Sequence, residues 1–113
     1  MKLKDIINSL DLQVITPGLN LDAEVTGGYA SDLLSDVIGH AKEGFVWITF
    51  QVHLNIIAVA SLKGLAAIIL VNNRALDEAT LKRAIAEGVP ILTSPLPAFE
   101  VVGRLYTLGL RCP

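Results

Sequence analysis

Charge, cysteine, aromatic rings and long apolar runs are all scarce in this chain. Only 18% of its 113 residues are charged, against about 25% in an average soluble domain. Nine Lys and Arg stand against eleven Asp and Glu, for a net charge of −2. The cations are scattered and form no basic stripe, which argues against nucleic acid as a partner. A single cysteine, Cys112, offers neither a disulfide framework nor a metal cluster. His53 has no Cys, Asp or Glu close by in sequence, and only His40 could join it through the fold, so no metal is expected. No apolar run approaches the ~18 residues of a membrane helix. The basic start MKLK meets Asp5 and Asn8 too soon for a signal peptide. The expectation is a soluble, cytoplasmic protein with no membrane segment.

Motifs for catalysis are also missing. There is no GxGxxG, GxSxG or HExxH. Gly39-His40-Ala41-Lys42-Glu43-Gly44 has P-loop glycine spacing, but Phe45-Val46 follow where Lys and Ser or Thr are required, and the stretch ends a helical pattern. Asp32 and Asp36 lie one helical turn apart, a spacing that suits a solvated face or a helix dipole better than an acid/base dyad.

What the chain has in excess is apolar side chains: 52% of residues, with a mean hydropathy of +0.57. In one domain of this length, such an excess points to an apolar surface covered by self-association. The pattern predicts a helix over 2–10, a strand over 12–16 ended by Pro17-Gly18, and an extended run over 24–26 stopped by Gly27-Gly28. A helix capped by Ser31 or Asp32 runs to about 41. Strands over 45–51, 66–71 and 90–93 then alternate with helices over 53–63, 77–87 and 97–108. Near-continuous apolar strands read as buried on both faces, as in a parallel sheet. The fold class expected is therefore α/β: one small domain spanning 1–113, with a mainly parallel sheet flanked by helices. The 53–63 helix has almost no polar face, so it needs cover on every side. Either a second copy across a two-fold axis or a helix of the same chain would provide that cover, and the homodimer is the reading preferred here.

In an open parallel sheet, ligands bind beyond the carboxyl ends of the strands. Those ends nominate Gln51, His53 and Asn55, then Asn72, Asn73 and Arg74, then Thr93 and Ser94. The Gly27-Gly28 turn leading to Ser31 joins the same rim. Arg74, beside helix N-termini that favour anions, is the candidate phosphate or carboxylate contact. Singly, each residue has a structural explanation: a turn for the asparagines, a cap for His53, and an N-cap followed by Pro95 for Ser94. The alternation Gln51, His53, Asn55 shares one face only if the strand persists to 55; a helix from 53 turns Asn55 away.

The stretches EVTGGYASDLLSDVI, WITFQVHLNIIAVASL, AAIILVNNR and GVPILTSPLPAFEVVGRLYTLGL resemble stand-alone DRTGG-domain proteins over nearly the whole chain. Thr26, Gly27 and Gly28 match the end of the name-giving pentapeptide, while Glu24 and Val25 stand where Asp and Arg would. Relatives of this domain form the N-terminal part of HPr kinase/phosphorylase and insert into certain phosphotransacetylases and CBS-containing pyrophosphatases. The resemblance implies a regulatory or assembly module that oligomerises and senses a metabolite, with chemistry left to other domains. It also implies a protein partner of redox or hydrogenase type. The reading of the chain is a non-catalytic homo-oligomeric module, with no resident cofactor, that takes a nucleotide or small phosphorylated metabolite at its rim. Its site is Thr26, Gly27, Gly28, Ser31, Gln51, His53, Asn55, Asn72, Arg74, Thr93 and Ser94. A purely structural assembly domain is the alternative, and a small enzyme with His53 as general base is a third reading.

Overall fold

The computed structural model describes all 113 residues. Five helices and five strands follow in the order α1 (Leu3–Leu10), β1 (Gln13–Val14), β2 (Gly27–Ala30), α2 (Leu34–His40), β3 (Phe45–Thr49), α3 (Asn55–Lys63), β4 (Ala67–Leu70), α4 (Glu78–Glu87), β5 (Ile91–Thr93) and α5 (Ala98–Thr107). The sheet order is β1-β5-β4-β3-β2. Strands β2 to β5 are parallel, and β1 joins β5 antiparallel at one edge. This is the α/β class that continuous apolar strands demand, since β3 and β4 are buried at every residue.

Alternation along the strands divides the core in two. Val46, Ile48, Ala67, Ile69 and Leu92 face α1 and α5, while Phe45, Trp47, Ile68, Leu70 and Ile91 face α2, α3 and α4. The strands step steadily from β2 to β5 with all three connecting helices on one face, as crossovers of constant hand require. Only the connection after β5 turns to the other face, to α5. The point where neighbouring connections diverge therefore lies between β4 and β5.

Helix α3 finds much of its cover within the chain. Ile56, Ile57, Val59 and Ala60 are buried, and the flanking elements are α2 and α4 of the same chain. Asn55, Ala58, Ser61 and Leu62 stay exposed along the helix, Leu62 at 73%. The helix also begins at Asn55, and β3 ends at Thr49.

The turn expected at Gly27 and Gly28 is corrected. They open strand β2 instead of forming a turn, and neither has positive φ. The demand on Gly27 is steric: a Cβ there would sit 2.6 Å from Phe45 Cε1 and 2.8 Å from the carbonyl oxygen of Arg111. Gly28 N–H donates to that same Arg111 oxygen at 3.0 Å, so the C-terminal segment crosses the sheet edge where no side chain can intervene. Gly27→Ala is expected to cost about 1–3 kcal/mol, as overpacking does, read as a lower urea midpoint with unchanged slope.

Candidate functional site

Residues at the carboxyl ends of the parallel strands build the rim from one buried hydroxyl outward. Thr49, the last residue of β3, is 1% exposed, and a buried hydroxyl needs partners. Its Oγ donates to Asp32 Oδ1 at 2.8 Å and accepts from Gln51 N–H at 3.0 Å. The same Asp32 oxygen accepts from Phe50 N–H at 2.8 Å. One carboxylate oxygen thus ties the β2–α2 connection to the end of β3, and Oδ2 is left without a partner from the chain. Asp32 is not a helix cap: α2 starts after Leu33, with no side-chain cap bond. Ser31 Oγ accepts from Leu33 N–H at 3.2 Å, and the Ser31 carbonyl accepts from the Trp47 indole at 2.8 Å.

A cavity of about 400 Å³ opens over these groups, lined by Ala30, Ser31, Asp32, Ile48, Thr49, Phe50, Val71, Asn72 and Ala98. Its wall is the first residue of α5, whose N-cap, Pro97, supplies no side-chain cap. Uncapped N–H groups at a helix start favour negative charge. Beside the cavity, Arg74 Nε donates to the Phe50 carbonyl at 3.1 Å, and its guanidinium lies 4.2 Å from the centre of the Phe50 ring. That ring is 43% exposed and is fixed by the stacked cation.

The polar triplet after β3 has another explanation. Gln51 Oε1 accepts from His53 N–H at 3.4 Å, and His53 Nδ1 accepts from Asn55 N–H at 3.1 Å. With Thr49 and Gln51, this makes a run of side chains each bonded to the backbone two residues on, which leads the chain into α3. The shared strand face of Gln51, His53 and Asn55 does not exist, because the strand stops at Thr49. None of the three lines the cavity. The hydroxyls of Ser31 and Ser94 accept from Leu33 N–H and Leu96 N–H and not from His53. His53→Ala is expected to leave rim binding within twofold of the wild type, measured by calorimetry.

The remaining nominated residues divide. Ser31 and Asn72 line the cavity and Arg74 stands beside it. Thr93 and Asn73 open toward a separate hollow with Asp11 and Gln13. Ser94 is buried, and its Oγ accepts from Leu96 N–H. Thr26 donates to the Glu43 carbonyl at the amino end of the sheet and lines a hollow there. Thr26, Gly27 and Gly28 are therefore at the end opposite the rim: β2 runs parallel to β3, with Gly27 paired to Phe45. The divergence between β4 and β5, where a ligand crevice is expected, is laced shut. Asn72 and Asn73, both with positive φ, donate their N–H groups to the carbonyls of Leu96 and Ser94, each at 2.9 Å.

A second polar cluster lies on the α2 face. Tyr29 Oη donates to Asp36 Oδ2 and His40 Nδ1 meets Asp36 Oδ1, both at 2.9 Å, with the tyrosine and imidazole rings stacked 5.8 Å apart. The Tyr29 hydroxyl holds the Asp36 carboxyl below its usual range, with Ser31 and His40 adding to the effect. The same bond pushes the Tyr29 phenol up. A lowered carboxyl contributes stability that is present above the unfolded value of 3.8 and is lost as pH falls through its folded value. Asp36→Asn is expected to flatten the acid limb of a stability–pH curve. No group of three or more His, Cys, Asp or Glu side chains is placed to hold a metal ion, and no helix is long and apolar enough to cross a membrane.

Fold and rim together define a small three-layer α/β domain with a cavity of mixed apolar and polar lining at the carboxyl end of its sheet. The crystal structure of the CBS and DRTGG domains of the regulatory region of Clostridium perfringens pyrophosphatase, complexed with the activator diadenosine tetraphosphate, has a similar fold. The TM-score is 0.67 at 12% sequence identity, over 91% of this chain and 45% of that one. The chain thus spans less than half the length of that regulatory region. No protein-family model matches the sequence, and no curated protein does.

Proposed function

We propose that the chain is a non-catalytic, self-associating regulatory module of DRTGG type that binds a nucleotide at the rim. The observation that carries this reading is the cavity itself, where a carboxylate oxygen without a partner, an exposed aromatic ring backed by an arginine, and an uncapped helix start converge. Asp32 is the discriminating feature. A bare anion would meet its charge, whereas a nucleotide offers an exocyclic amine to Asp32 Oδ2, a base to stack on Phe50, and phosphate toward the start of α5 or Arg74. The similar regulatory region is complexed with a dinucleoside polyphosphate, which supports that ligand class. HPr kinase-like ancestry and a redox or hydrogenase partner belong to the resemblance, and nothing in the rim depends on them.

Thermal shift with ATP, AMP, diadenosine tetraphosphate, phosphate and acetyl phosphate tests the reading. A nucleotide at 100 times its dissociation constant adds about 2.7 kcal/mol, a rise of several degrees for a domain of this size. Stabilisation by the nucleotides, lost in Asp32→Ala and Arg74→Ala, is the expected result. Stabilisation by phosphate alone, or by none of the five, overturns it.

A further inference from the structure

On the side of the sheet that faces α5, the edge strand β2 leaves a gap. Gly28 and Ala30 stand in register with Val46 and Ile48 of β3, whose side chains fill the space against α1 and α5. Alternation puts Gly28 and Ala30 on that same side, where a hydrogen and a methyl group fill almost nothing. Val102, Leu105 and Tyr106 of α5 overhang them, and Arg111 of the following segment walls one end. The result is an apolar cavity of about 160 Å³. We propose that it binds a small carboxylate whose apolar body is about the size of one ring, with the body in the cavity and the carboxylate on Arg111. The proposal depends neither on the nucleotide nor on self-association. The cavity shares Ala30 and Ile48 with the rim, but Asp32, Phe50 and Asn72 do not line it.

Size, lining and charge each carry part of the argument. Protein interiors are otherwise close-packed, and the lining of a void loses contacts that a bound apolar group restores. An apolar cavity of about 150 Å³ accepts a benzene ring, which sets the scale of the body. Arg111 supplies the polar contact. Its Nη1 donates to the carbonyls of Tyr106 and Leu110 at 2.8 and 2.9 Å, and its guanidinium stacks on the Tyr106 ring at 3.6 Å. The side chain is therefore held in place. Nε and Nη2 bond to nothing in the chain, and no carboxylate of the chain pairs with Arg111. A fixed guanidinium with that edge free takes a carboxylate through two parallel N–H bonds. A mostly apolar pocket with one oriented charge is the usual form of a small-molecule site. Acetate would leave the cavity unfilled and a neutral ring would leave the guanidinium unpaired, whereas benzoate answers both.

Chemical-shift titrations of the protein with benzoate, toluene and acetate test the site. Benzoate is expected to give saturable shifts at Gly28, Val102 and Leu105, with an affinity about tenfold above that of toluene, and acetate none there. Gly28→Val fills the cavity. Unlike at Gly27, a Cβ at Gly28 meets only the end of a flexible side chain closely, Leu110 Cδ2 at 3.2 Å, and a β-branched residue suits a strand. The variant is expected to stay folded by circular dichroism and to bind neither benzoate nor toluene. Arg111→Met keeps an apolar stem and is expected to bind benzoate about tenfold more weakly and toluene as before. Should Gly28→Val fail to fold, the wild-type titrations and Arg111→Met still decide. Toluene bound as tightly as benzoate, or full benzoate affinity in Arg111→Met, overturns the proposal. So do benzoate shifts that map elsewhere, or none at all.

Discussion

Trp47→Ala is expected to lose about 3–5 kcal/mol of stability, as deletion of a buried tryptophan does. That is a large share of the roughly 5–15 kcal/mol that holds a domain of this kind together. The indole has no exposure and stands at the centre of the helical face, in register with Tyr29 on one side and Ile68 on the other. It also carries the one bond that pins the Ser31 carbonyl. Trp47→Phe separates the two contributions. It keeps most of the apolar area and leaves the Ser31 oxygen without its donor, for a loss of about 1–3 kcal/mol. Urea unfolding followed by circular dichroism measures both, and the larger loss for alanine is the expected order. Equal losses would mean that the hydrogen bond, not the ring, dominates.

Asp32→Ala is expected to have the largest effect on the rim. The substitution removes the acceptor for Thr49 Oγ and for Phe50 N–H. Thr49 stays buried and must turn its hydroxyl elsewhere, for a loss of about 1–2 kcal/mol. Nucleotide binding disappears with it, because the connection that forms the cavity floor loses its tie to β3. Asp32→Asn is the informative companion. Its amide oxygen can still accept from both donors, so the fold holds, while the charge facing the ligand is gone. Calorimetry is expected to show weaker binding by about tenfold, a change of about 1.4 kcal/mol. Full affinity in Asp32→Asn would show that the carboxylate serves the fold alone.

The architecture was readable because β3, β4 and β5 are runs of buried residues punctuated by glycine and proline, which leaves little choice of class. The rim was readable only in part. Ser31, Asn72 and Arg74 follow from the rule that ligands gather at strand ends, but Asp32 does not, since its partners lie 17 and 18 residues away and depend on β2 lying beside β3. One local signal pointed there: a threonine at the end of the otherwise apolar strand FVWIT, a buried hydroxyl in need of a partner. The paired glycines misled for a similar reason. Their small size answers Phe45 and Arg111, which are distant in sequence, and not a turn. The spacing of Gln51, His53 and Asn55 imitates a strand face because side chains bonding two residues ahead share that period. Much of the apolar character of α3 is absorbed by α2 and α4, with Leu62 left exposed.

Amide chemical-shift mapping by NMR, with ATP or diadenosine tetraphosphate titrated into the protein, tests the rim most directly. Saturable shifts concentrated on Ser31, Asp32, Phe50, Asn72 and Ala98, with Thr26, Gly27 and Thr93 unmoved, are the result predicted here. Saturable shifts that map to the amino end of the sheet, around Thr26 and Gly44, or no shifts at all, would contradict it.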